Sequence, residues 1–99
     1  MNKRLKNHKE NLFERLSNPE YAAEYLTAAF EDKDLAGQLL AIRNVIEANE
    51  GMASIANQIG AGRTSFYKAM GETGNPQFDT VSKTLNAMGL HFSVQTSHA

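Results

Sequence analysis

Gly60 and Gly62 stand two residues apart between two stretches that each carry a helical apolar pattern, and this break constrains the fold more than any other feature. Before it, Met52, Ile55, Ala56 and Ile59 fall at i, i+3, i+4 and i+7, which gathers them on one face of a helix. After it, Phe66, Ala69 and Met70 do the same. Only three or four residues separate the two patterns, the length of a tight helix-to-helix turn. In the second helix the i, i+4 pairs Arg63/Tyr67 and Thr64/Lys68 then point away from the core together. That outward face holds two cations, a hydroxyl and a phenol and no acid, a composition that suits an anionic partner.

The flanking sequence reads as further helices. Leu5, Leu12, Phe13 and Leu16 have roughly helical spacing, but the first ten residues are too polar to bury much, and fraying is expected there. Asn18 and Pro19 open a helix as cap and first residue; it gathers Tyr21, Tyr25, Leu26 and Ala29 and stops between Glu31 and Asp34. A second helix carries Leu35, Leu39, Ile42 and Ile46 and ends at Gly51. After the two short helices, a loop closed by Asn75 and Pro76 leads to a final helix with Phe78, Val81, Leu85 and Met88, ending at Gly89. In "LHFSVQT" Leu90, Phe92 and Val94 alternate with His91, Ser93 and Gln95, the period of a half-buried strand, which would need a partner, such as its copy in a second chain.

Ninety-nine residues make one domain, and the absence of cysteine rules out a disulfide scaffold and cysteine-ligated metal. No apolar run approaches the roughly 18 residues needed to span a bilayer, so a soluble, cytoplasmic protein without membrane partners is the simplest expectation. The net charge of −1 is a weak argument for nucleic acid. Its distribution says more. Residues 1–15 hold five Lys or Arg against two acids, residues 18–50 hold seven acids against two basic residues, and residues 51–99 hold three basic residues against two acids. The acidic middle would repel DNA, so a DNA-facing surface must come from the ends of the chain, whereas the acids from Glu20 to Glu50 suit a basic protein partner.

The stretch Met52 to Tyr67 resembles the helix-turn-helix of the Xre/Cro class of bacterial repressors, with Ala56 at the helix crossing, Gly60 at the turn and Phe66 buried in the second helix. "GRTSFYKAMGETGNPQFDTVSKTLNAMGL" is similar to HigA-like addiction-module antidote proteins, and "YLTAAFED" resembles that family's N-terminal helix, so the likeness covers about residues 19–92. The resemblance implies an all-α, five-helix, Xre/lambda-repressor-like DNA-binding domain that dimerises, binds the operator of its own operon and neutralises a small ribonuclease-like toxin of the RelE/HigB kind encoded beside it. The expected layout is a partly frayed basic segment over 1–17, a helical domain over 18–89 with the helix-turn-helix at 52–70, and a C-terminal strand and tail over 90–99. The chain departs from the family at Gly62, where a serine usually caps the second helix; glycine costs only about a few tenths of a kcal/mol there but offers no hydroxyl to a phosphate.

The candidate DNA-binding residues are Gly62, Arg63, Thr64, Ser65, Tyr67 and Lys68. Arg63, in the first turn, is either simply solvated or placed to meet the O6 and N7 of guanine with its guanidinium fork, and Lys68 is a phosphate contact or plain surface. The plainer alternative is a helical protein-interaction module, or a regulator without a toxin partner. Tyr21 and Tyr25 read as core or interface aromatics, and Lys3, Arg4, Lys6 and Lys9 as a solubilising cluster or a phosphate-binding arm. His8, His91 and His98 have no metal-ligand spacing, and Glu20, Glu24, Glu31, Asp32 and Asp34 come with no nucleophile–base pair or glycine loop. Neither a metal, another cofactor nor catalysis is expected.

Overall fold

The structure is a computed structural model that describes residues 3–97, with side chains described from residue 8 onward. It contains α1 (Lys3–Leu16), α2 (Pro19–Glu31), α3 (Leu35–Asn49), α4 (Met52–Gln58), α5 (Arg63–Ala69) and α6 (Phe78–Ala87). Helices α1, α2 and α3 pack on one another, and α4 joins this group to the rest by meeting α3, α5 and α6.

The all-α class holds, with six helices where five are expected. The additional one is α1. Its N-terminal half is polar, but its C-terminal half anchors it: Leu16 is fully buried, and Leu12 and Phe13 pack against the core. Tertiary packing of that short apolar face outweighs the weak periodicity of the first ten residues. Lys9 Nζ lies 5.7 Å from the Phe13 ring centroid and shields its outer face. The side chains of Lys3, Arg4, Leu5 and Lys6, with His98, lie outside the described residues.

Helix α2 begins as its sequence requires, the Asn18 side chain accepting the Glu20 amide at 2.8 Å with Pro19 at the first helical position. Helix α3 is the central element. It starts at an Asp34 cap, whose carboxylate accepts the Ala36 amide at 3.2 Å, and buries Leu39, Ala41, Ile42, Val45 and Ile46. Asn44 Nδ2 donates to the Tyr25 hydroxyl at 2.9 Å, which makes Tyr25 a tie between α2 and α3. Two residues expected in the apolar stripes are largely outside: Leu35 is 45% exposed and Phe78 72% exposed, each in the first turn of its helix. Conversely, Thr84 on α6 is fully buried, its hydroxyl satisfied by the Thr80 carbonyl at 2.7 Å.

The expected C-terminal strand is absent among the described residues, where no strand occurs. Residues 90–97 run without regular structure, and the alternation has another cause. Leu90 and Phe92 turn inward onto the helical core, while Val94 is 96% exposed. Phe92 stacks on Phe78 of α6 with centroids 5.1 Å apart and planes at 18°, and meets Phe30 of α2 at 6.1 Å and 34°. The tail thus bridges α2 and α6 with side chains and needs no backbone ladder.

Candidate nucleic-acid interface

Helices α4 and α5 each contain seven residues and are joined by residues 59–62. The turn begins with paired backbone bonds: the Gly60 amide donates to Asn57 O at 3.2 Å and the Ala61 amide to Ala56 O at 2.9 Å. This pairing closes a helix when the residue between adopts a left-handed conformation, and Gly60 has φ 72°. A side chain here would carry the steric penalty that glycine lacks. Gly62 then serves as the N-cap of α5 with φ −66° and ψ 135°, its carbonyl accepting the Phe66 amide at 2.9 Å. Having no side chain, it offers no cap to the first-turn amides.

Beneath α5, Phe66 and Met70 are buried with Ile55 and Ala56 of α4. Small Ala56 and the burial of Phe66 set which way α5 faces. Every sequence-derived candidate is solvent-exposed: Gly62, Arg63, Thr64, Ser65 and Lys68 are exposed, and Tyr67 is 44% exposed. The i, i+4 pairs Arg63/Tyr67 and Thr64/Lys68 fall on consecutive turns of this seven-residue helix and form adjoining rows on its exposed side, whereas Ser65 lies off those rows.

Among the described residues neither Arg63 nor Lys68 is in an ion pair; Lys83 and Asp79 pair with each other at 3.0 Å across one turn of α6. The Glu50 carboxylate, just before α4, accepts hydrogen bonds from Ser54 Oγ at 2.8 Å and Gln58 Nε2 at 3.0 Å. Helix α5 itself contains no acid.

Sequence reading misses the residue that fixes the other end of α5. Arg43, on α3, donates from Nη1 to the Met70 carbonyl at 2.7 Å in a half-buried position. Met70 is the C-cap of α5, so a cation sits on the negative end of that helix and ties it to the central one. Nothing in its local spacing marks Arg43 for this, since its acceptor is 27 residues away. Past this point the loop is tight: a Cβ on Gly74 would come within 2.5 Å of the Ala69 carbonyl carbon and 2.7 Å of Lys68 O, so only glycine fits against the end of α5.

No group of three His, Asp or Glu side chains among the described residues is placed to hold a metal ion, and no helix among them is long and apolar enough to cross a membrane.

The chain matches a family model described as "probable addiction module antidote protein" over residues 6–96. It is also 36% identical over 84 residues to a Haemophilus influenzae protein described as uncharacterized, a likeness that covers 85% of this chain and 86% of that one. No solved structure gives a significant match. With nearly its whole length inside that family model, the chain belongs to the addiction-module antidote family.

Proposed function

We propose that this antidote is a sequence-specific DNA-binding autorepressor that also neutralises a small RelE/HigB-like toxin encoded by the adjacent gene. The observation that carries the DNA-binding half is the outer face of α5, where Arg63, Thr64, Tyr67 and Lys68 stand exposed and acid-free over the buried Phe66 and Met70. In this reading α4 and α5 form a helix-turn-helix, and α5 enters the major groove. Arg63 reads a guanine edge, Thr64 and Tyr67 contact neighbouring bases, and Gly62, Ser65 and Lys68 approach the backbone. The antidote half rests on family membership.

A single short helix contacts few base pairs, so the repressor works as a homodimer whose α5 helices lie about 34 Å apart on successive turns of DNA. The exposed Phe78 at the start of α6 favours the last helix as the two-fold contact.

Fluorescence anisotropy on the DNA upstream of the gene, at several salt concentrations, tests the repressor reading. Arg63→Ala should lose about 1–3 kcal/mol of specific binding and relax preference at one base pair. Lys68→Ala should weaken all sequences alike and lower the salt slope by about one. A parent protein without preference for that DNA overturns autorepression, and an Arg63→Ala protein with unchanged affinity and preference overturns direct readout by Arg63.

A further inference from the structure

Helices α2 and α6 make no close backbone approach to each other, and between them lies an open hollow of about 1080 Å³. Helix α2 gives one side, with Ala23, Leu26, Thr27 and Phe30; residues 89–97 give the other, with Phe92 directed inward. Two acidic side chains also line it, Glu20 and Glu31, and no lysine or arginine does. The charge and the apolar surface are arranged in a set order. Glu20 and Glu31 stand at opposite ends of α2, eleven residues and therefore about 16 Å apart along the helix axis, and the accessible apolar side chains between them are Ala23 and half-buried Phe30.

A nucleic acid would meet two carboxylates here and is disfavoured. A small molecule is a poor fit too: typical ligand pockets reach about 1,000 Å³ and enclose most of their ligand around converging polar groups, whereas this hollow is open and its carboxylates sit apart. An apolar strip with a carboxylate at each end complements a polypeptide segment that presents apolar side chains between two cations.

Building on the antidote reading, we propose that the α2–tail groove receives a cationic, amphipathic segment of the toxin. Ala23, Phe30 and Phe92 take its apolar side chains, and Glu20 and Glu31 take a lysine or arginine at either end. Opposite charges of this kind steer association and set register more than they add affinity. The groove is built from α2 and the tail, whereas the DNA-facing residues belong to α5, so separate elements serve the two partners.

The test uses the full chain and, as probe, the purified product of the adjacent reading frame. Two proteins are compared with the parent: the double variant Glu20→Gln/Glu31→Gln, and Ala23→Arg, which places a bulky cation at an exposed position on the groove wall. The double variant should associate about tenfold more slowly at low salt, with a flatter salt dependence, while its melting curve and upstream-DNA binding match the parent's. Ala23→Arg should weaken the complex by at least about tenfold. If Ala23→Arg perturbs folding, the neutral double variant decides. Parent-like toxin binding by both variants overturns the groove and leaves the antidote pairing standing. A parent protein that fails to bind the probe overturns the pairing itself, and the groove assignment with it. If Ala23→Arg converts a dimer to a monomer in sedimentation yet binds the probe normally, the groove's occupant is a second copy of the chain and the proposal is overturned.

Discussion

Arg43 Nη1 donates to the Met70 carbonyl at 2.7 Å, so the central helix holds the C-terminal end of α5. The main backbone neighbour of α5 is α4, and this bond adds a polar tie to α3, whose Ile42, Val45 and Ile46 share the core with Phe66 and Met70. Arg43→Met removes the charge-assisted hydrogen bond and should cost about 1.5–3 kcal/mol in urea unfolding. Amide exchange should speed up in α5 more than in α2. Unchanged stability together with unchanged exchange in α5 would show that packing on α4 is sufficient.

Gly74 answers to a different constraint, the closeness of the Ala69 and Lys68 carbonyls. Gly74→Ala must displace the loop that leaves α5 and should cost about 1–3 kcal/mol as an overpacking substitution. For a domain of this size that lowers Tm by roughly 4–8 °C per kcal/mol. Gly62→Ala is the contrast: an added Cβ there meets only Ser65 Oγ, at 3.9 Å, and the backbone already has ordinary φ. Equal losses at the two positions would refute the steric account.

Phe66 separates folding from reading. Phe66→Ala empties a site that is 1% exposed and should lose about 3–5 kcal/mol. Arg63→Ala, on the solvent side of the same helix, should melt within about 0.5 kcal/mol of the parent. Thermal melts of the two proteins check this, and a comparable loss in both would place Arg63 in the fold.

The stacked rings of Phe78 and Phe92 can be weighed by a double-mutant cycle. Replacing each by Leu, singly and together, should give a coupling energy of about 0.5–1.5 kcal/mol from denaturant unfolding. A value near zero would mean that the tail is held by burial of Phe92 alone.

The glycine-broken helix pair was legible because its determinants are local. Gly60 must be left-handed, and Ile55, Ala56, Phe66 and Met70 repeat at helical spacing with burial that follows it. The candidate residues on α5 were legible as the remainder of that pattern. What escaped was settled at long range. Leu12, Phe13 and Leu16 were visible at helical spacing, but that they hold the polar first half of α1 in the helix depends on their contacts with the core. Leu90 and Phe92 alternate as a strand would, because any extended segment with one buried side does so; period two reports burial and does not name the neighbour. Arg43 contributes one charge to a regional count, and its role depends on a carbonyl from another helix.

The Phe30–Phe92 contact also has a bearing on when the fold is completed. Helices α1 to α3 can associate as soon as residue 49 has been made, since their partners are all near in sequence. Phe92 is made long after Phe30 and closes a loop of about sixty residues onto it, so the entropy of that closure is met only once Phe92 is present. A nascent chain therefore carries a formed three-helix unit with one wall of its groove missing until residues 89–97 have been made.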